Sequence, residues 1–331
     1  MNAPTQDAAL APVRRKPDGW LIFGRYGALA LLAIMIIVFS VLEPKNFPTL
    51  GNLTNILSQL TIGAIVAMGL TVPLVAGEFD LSLGFQTSFL CVLAAGLSNN
   101  LHAHPLAILP ILMVIGGVIG AVNGLLVTKF HINSFVGTLG VGTLVVGLDY
   151  AYSGGRPIVA LDQNAFLKIT TTKMLGIPAP VWITILVAII LWVFLNRTVF
   201  GLSTQATGGN SEAARLSGTR TNRVRVVAFI IAGVCCGLAG LLVTSRVGSG
   251  SLDAGDGYSM SAFAAGFFGS AVLRDGQFHI IGTLVGIVTV ALAFNFMALA
   301  GAPTFYQYLF QGALLIIGVG VGSVARRRST R

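Results

Sequence analysis

Ten apolar runs alternate with short polar, glycine- or proline-containing breaks along this chain, at residues 26–43, 54–76, 84–98, 106–128, 134–153, 180–195, 226–244, 259–272, 280–299 and 304–323. A helix needs ~20 apolar residues to cross the hydrocarbon core of a bilayer. The pattern therefore predicts an all-α, polytopic integral membrane protein of about ten transmembrane helices. The third and eighth runs are short, which predicts either tilted spans or broken helices whose irregular backbone faces protein or water rather than lipid. The first run follows Arg14, Arg15, Lys16 and Arg25, as the core of a signal peptide would. Its length, and an ending Phe39-Ser40-Val41-Leu42 that offers no small-x-small cleavage site, make it the first span instead.

An even number of spans puts both termini on one side, and the basic residues say which. With that side cytoplasmic, the inner segments hold Arg14, Arg15, Lys16, Arg25, Lys129, Arg197, Arg215, Arg220, Arg223, Arg225, Arg274, Arg326, Arg327, Arg328 and Arg331, fifteen of the twenty Lys and Arg. The outer segments hold only Lys45, Arg156, Lys168, Lys173 and Arg246, although the connection over 154–179 is among the longest. This is the positive-inside bias. The expected organisation is a cytoplasmic tail at 1–25, one transmembrane domain at 26–323 with a cytoplasmic loop at 196–225, and a basic cytoplasmic tail at 324–331.

Composition agrees: 55% of residues are hydrophobic and 9% charged, with a mean hydropathy of +0.86, against roughly 25% charged in a soluble domain. The net charge of +9 sits between apolar runs rather than on a polar surface, which argues for membrane orientation and against nucleic acid. Cys91, Cys235 and Cys236 lie inside apolar runs, without metal-ligand spacing or a disulfide framework. His102, His104, His131 and His279 fall near span ends and form no metal or nucleophile set. No catalytic constellation emerges, and the Walker A pattern is absent, so any ATP must be handled by a partner.

Three features remain. In the loop at 196–225, Ser211-Glu212-Ala213-Ala214-Arg215-Leu216-Ser217-Gly218 reads as a short helix: a capping Ser, an acidic first turn, two Ala and a terminating Gly. Such a helix either docks into another protein or is an ordinary surface element. Second, Glu78 and Asp80 sit at the break Ala76-Gly77-Glu78-Phe79-Asp80-Leu81-Ser82-Leu83-Gly84. Either Asp80 caps the following helix while Glu78 is solvated, or the carboxylates line a polar path with Ser82 and with Asn123 of the fourth run; Asp149, near an outer end, is the other polar residue inside a run. Third, Gly116, Gly117, Gly120 and Gly124 match Gly233, Gly237 and Gly240 as small-residue seams. Residues 115–128 and 231–244 share eight of fourteen residues, a likeness that similar packing explains.

Several of these segments together resemble the permease subunit of bacterial ATP-binding-cassette sugar importers of the ribose and xylose type. Ala76–Gly84 is similar to that family's Gly-Gly-x-Asp-Leu-Ser-x-Gly signature, and Ile132–Gly140 to its short loop and fifth span. The closest similarity is Gly208-Gly209-Asn210-Ser211-Glu212-Ala213-Ala214-Arg215-Leu216-Ser217-Gly218, followed by Ala239-Gly240, Ser245-Arg246, Gly257-Tyr258 and Gly282-Thr283. The resemblance runs from about residue 50 to 320. It implies a homodimer of inner-membrane permeases, two cytoplasmic ATPases that supply the ATP and Mg chemistry, and a periplasmic solute-binding protein. It also implies that Ser211, Glu212, Ala213, Ala214, Arg215, Leu216 and Gly218 form the coupling helix that fits the ATPase. The cargo expected is a small polar solute of monosaccharide type. Two departures bear on its identity: Glu78 stands where the family usually has Gly, and Ser270, Arg274, Asp275 and Phe278 alter a Gly-rich stretch. Alternatives are a permease for an amino acid or nucleoside, since branched-chain amino acid permeases share a related architecture, or an ion-coupled secondary transporter using Glu78 and Asp80.

Overall fold

The computed structural model describes residues 19–270 and 276–329, with side chains from 27 to 270 and 276 to 320. Expectations for residues 1–18, for Arg274 and Asp275, and for the basic C-terminal side chains lie outside the described residues. The elements in chain order are α1 (Gly19–Leu42), α2 (Leu50–Val75), α3 (Leu83–Leu101), α4 (Pro105–Thr128), α5 (Ser134–Ser153), β1 (Ile158–Val159), α6 (Gln163–Thr171), β2 (Lys173–Met174), β3 (Ile177–Pro178), α7 (Ala179–Arg197), α8 (Val199–Gly209), α9 (Ser211–Leu216), α10 (Thr221–Val247), β4 (Ser249–Gly250), α11 (Asp256–Ser270), α12 (Ile280–Leu299) and α13 (Phe305–Ser329). Each predicted apolar run carries a helix, and α2, α4, α5, α7, α10 and α12 are long and apolar enough on their own to cross a membrane.

Helix ends follow local chemistry. Thr49, Asn133 and Thr198 cap α2, α5 and α8 by accepting from Asn52 N, Phe135 N and Gly201 N. Two of the histidines do the same work: His104 Nδ1 accepts from Leu106 N at 3.3 Å, and His279 Nδ1 from Gly282 N at 2.9 Å. Exposed Ile37, Val41, Val114, Val118, Leu144, Leu148, Ile185, Leu186 and Ile189 form the apolar outer belt expected of a lipid-facing surface.

The centre is built on close backbone contact. α4 and α10 run antiparallel, and a Cβ on Gly116 would lie 2.1 Å from Gly233 O, one on Gly120 2.2 Å from Phe229 O, and one on Gly237 2.6 Å from Leu112 O. The two similar stretches of sequence thus form the two sides of one seam. Only glycine permits this approach, and in lipid, where apolar transfer drives nothing between helices, such contact is the main source of cohesion.

α3 and α11, from the short third and eighth runs, are continuous helices of 19 and 15 residues whose first turns meet inside the bundle. Cys236 Sγ contacts Leu83 O, and Gln86 Oε1 faces Gly233, so α3 begins level with a point roughly three to four turns into α10. That is the middle of the predicted seventh span. The chain reaches this depth from the end of α2 by an irregular inner segment, residues 76–82. On the other side, residues 249–255 descend from the end of α10, and α11 begins against α3: Gly255 N donates to Ser88 Oγ at 2.8 Å, and a Cβ on Gly255 would lie 2.1 Å from Gly84 O. The two irregular segments share a pattern at equal spacing, Gly77, Asp80, Gly84 in one and Gly250, Asp253, Gly257 in the other. They enter from opposite faces and meet at mid-depth.

The structure adds elements the hydropathy pattern does not predict. α6 and the β2–β3 hairpin fold the outer connection, with Lys173 paired to Pro178. β1 pairs antiparallel with β4, Ile158 opposite Gly250, which pins the outer segment to that connection. α8 precedes the short helix α9 in the connection between α7 and α10.

Candidate functional site

In the connection between α7 and α10, α9 is six residues long. Its cap is Asn210 and not Ser211: Asn210, with extended backbone, accepts from Ala213 N through Oδ1 at 3.0 Å. Adjacent Asn and Ser are both good caps, and the helix starts one residue earlier than the Ser reading allows. Gly218, at φ +87°, ends the turn as expected. Ala214 is buried and anchors α9 to the bundle, whereas Glu212, Ala213, Arg215 and Leu216 face outward, Leu216 being 77% exposed. Arg215 donates to Glu212 through Nη2 at 2.6 Å and holds its carboxyl below the usual range. A fully exposed pair like this adds little stability and leaves both charges available to a partner.

The inner segment sits directly above. Gly77 (φ +84°) closes α2, with its N–H on Leu74 O and the Glu78 N–H on Pro73 O, the paired bonds of a left-handed helix stop. Glu78 is not solvated. Its Oε1 lies 2.9 Å from Arg225 Nε in an ion pair whose side chains are 12% and 24% exposed respectively. Nor does Asp80 cap α3 in the usual way. It is fully buried, and its Oδ1 accepts from Ser82 N at 3.0 Å and from Ser82 Oγ at 2.5 Å, a turn within the segment itself. Asn123 Nδ2 of α4 donates to Ser82 Oγ at 2.8 Å and Gln86 Nε2 of α3 to the same oxygen at 2.6 Å. Phe79 N and Leu81 N donate to Ser134 and Thr138 of α5.

Asp80, Ser82 and Asn123 are therefore brought together, joined by Gln86, and Glu78 is held apart with Arg225. Among the described residues, the buried oxygens Asp80 Oδ2, Gln86 Oε1 and Asn123 Oδ1 have no hydrogen-bond partner. Asp149, also buried in part of α5, stands elsewhere and is not in this cluster. Sequence reading missed Gln86 and Arg225. The position of Gln86, one turn after Ser82 at the start of a short helix, was a usable signal; the reach of Arg225 depends on tertiary packing.

The other site is a cavity of about 310 Å³ in the outer half, between α2, α10, α11, α12 and α13. Gln59, Arg246, Tyr258, Ser261, Gln307 and Gln311 supply its polar lining, and Ile287, Val290 and Phe294 its apolar wall. Gln311 Nε2 donates to Ser261 Oγ at 2.6 Å, which fixes the far wall. Amides, hydroxyls and an aromatic ring around an apolar floor make a small-molecule site of the ordinary kind. None of the four residues singled out in the sequence as a solute path (Glu78, Asp80, Ser82, Asn123) lines it.

Comparison with known proteins agrees with this architecture. The family described as the permease component of the branched-chain amino acid transport system matches residues 52–319. The ribose import permease protein of Bacillus subtilis is 36% identical over 90% of this chain and 92% of its own length. The L-arabinose permease of Azospirillum brasilense is 32% identical over 96% of this chain and 93% of its own, and the ribose import permease of Escherichia coli K12 is 32% identical over 88% and 91%. No solved structure matches the chain. The family implies that ATP is used by a separate ATPase and that a solute-binding protein takes part, and it places the chain in the inner membrane as a transport component rather than an enzyme. The chain belongs to this family of permease components of ATP-binding-cassette importers.

Proposed function

We propose that this permease carries a monosaccharide into the cell, working as a homodimer with two ATPases docked on its two copies of α9. The observation that carries the reading is that ribose and arabinose permeases align with this chain along nearly its whole length. The outer cavity supports it. A pentose is compact and presents hydroxyl groups on every side, and the lining offers amide, hydroxyl and guanidinium partners around an apolar wall. Among the described residues no carboxylate belongs to that lining, which suits a neutral solute better than an amino acid, whose ammonium group would lack a counter-charge.

The exposed α9 is the surface for the ATPase. Glu212, Arg215 and Leu216 give it two charges and one apolar knob, and Ala213 leaves room for a groove wall. ATP binding and hydrolysis in the partner would shift the equilibrium between two packings of the bundle by the difference in its affinity for them. The test is reconstitution with the cognate ATPase and binding protein in proteoliposomes, using labelled D-ribose and L-arabinose. Uptake of one or both should require internal or external ATP at the ATPase side and survive a protonophore. Uptake that collapses with the protonophore, or competition by branched-chain amino acids and by neither sugar, would overturn the reading.

A further inference from the structure

Arg225 touches two elements at once. Its Nη2 donates to Ser211 Oγ, the first residue of α9, at 3.1 Å, while its Nε lies 2.9 Å from Glu78 Oε1 in the inner segment. The contact with Glu78 is electrostatic rather than an aligned hydrogen bond, and its burial shields it from the solvent that weakens surface pairs. A second, independent contact joins the same parts: a Cβ on Gly208 at the end of α8 would lie 1.9 Å from Val75 O, so α8 rests directly on the end of α2. The inner segment leads into α3, whose Ser88 Oγ accepts from Gly255 N, and α11 follows with Tyr258 and Ser261 in the cavity wall. A continuous line of contact thus runs from the exposed coupling helix to the solute cavity, and Arg225 is its first link inside the bundle.

We propose that Arg225 is the positioning residue that transmits movement of α9 to the inner segment, with Glu78 as its seat and Ser211 as its hold on the coupling helix. The inference rests on the reading of α9 as the ATPase-docking helix. A single guanidinium is suited to the role because it is planar, permanently charged and presents several donors in a rigid fork. When α9 moves, the ion pair obliges Glu78 to follow; without it, the glycine contact at Gly208 still ties α8 to the start of the segment but does not reach Glu78.

The experiment uses the whole transporter with its ATPase and reads the cavity directly. Thr304→Cys places a thiol at the cavity rim, and the native Cys91, Cys235 and Cys236 are buried from a charged thiol reagent. In the otherwise unaltered chain, ATP should change the labelling rate of this thiol by at least about fivefold, the lower end of ordinary coupling between sites. Glu78→Gln and Arg225→Gln should each abolish most of that change while the ATPase stays bound. The exchanged pair, Glu78→Arg with Arg225→Glu, should restore it, since the relocated carboxylate can accept from the Ser211 hydroxyl. A full ATP response in both single variants overturns the proposal, as does an exchanged pair no better than either. Ser211→Ala, which removes only the hold on α9, decides the matter if the charge variants fail to assemble: it should reduce the response by about half, and an unchanged response again overturns it. Failure of the underlying reading looks different, because there the ATPase does not bind the unaltered chain at all.

Discussion

The inner and outer irregular segments carry the same spaced pattern, yet the structure uses them differently. In the inner one, Asp80 is sealed from solvent and organised by Ser82, Gln86 and Asn123. In the outer one, Asp253 is exposed and accepts from Ser251 Oγ at 2.6 Å. The inner segment faces α10 and α8 through Arg225 and Gly208; the outer one is pinned by β1 and reaches the cavity through Ala254. A shared pattern sets the backbone route, two chains of irregular structure meeting at mid-depth, and the neighbours decide the task. One segment is tied to α10 and α8, and the other borders the cavity.

The largest effect should come from the point the segments share. Gly255→Val forces a side chain into Gly84 O and Ser88 N, which lie 2.1 and 2.8 Å from an ideal Cβ and are backbone that cannot turn aside. We expect loss of folded, monodisperse protein after detergent extraction; normal yield would show that the two segments do not meet as described. Next comes the contrast between the aspartates. Asp80→Ala leaves the buried N–H and hydroxyl of Ser82 without their acceptor, at about 1–3 kcal/mol, whereas Asp253→Ala on the surface should fall within about 0.5 kcal/mol of the native chain. Thermal unfolding of the purified variants measures both, and equal losses would erase the distinction. Asp80→Asn should be milder than Asp80→Ala, because an amide oxygen can still accept from Ser82.

Changes in the cavity should act on solute handling and leave stability nearly untouched. Gln307→Leu and Gln59→Leu remove hydrogen-bonding groups worth about 0.5–1.5 kcal/mol each, so the concentration of sugar-loaded binding protein giving half-maximal uptake, or the maximal rate, should shift by roughly two- to tenfold. The smallest effect should be that of mild acid on the coupling helix. Arg215 holds the Glu212 carboxyl below the usual carboxylate range. Because its pKa is depressed, its ion-pair contribution is present above the ordinary carboxylate range and is lost only as pH falls through the lowered value. Retention of the ATPase should therefore be equal at pH about 8 and about 6.

Much of the fold was legible because a membrane span must satisfy its backbone within itself, so hydropathy and length announce each helix. The expected orientation rests on the distribution of Arg and Lys along the chain. The third and eighth runs were readable only as short, since shortness alone does not tell a tilt from a break, and where they meet depends on the approach of Gly84 to Gly255, a contact between distant parts of the chain. The same holds for the site. Glu78, Asp80, Ser82 and Asn123 were visible as polar residues in an apolar setting, but Arg225 looked like one more positive-inside charge, and Gln59, Gln307 and Gln311 like ordinary span-end polarity. Their roles arise where five helices converge. Membership of an importer family also removes the ion-coupled transporter from consideration, because a buried carboxylate by itself does not distinguish a proton carrier from a structural hub.

The most direct test of the account is to purify the chain and its Glu212→Arg variant side by side from native cells, gently and at natural abundance, and identify every co-purifying protein by mass spectrometry. A P-loop ATPase should accompany the native chain in comparable amount and be missing from the variant, while both permeases remain folded. An unaltered chain that comes out alone, or a variant that keeps its ATPase, would contradict the assignment of α9 as the coupling surface.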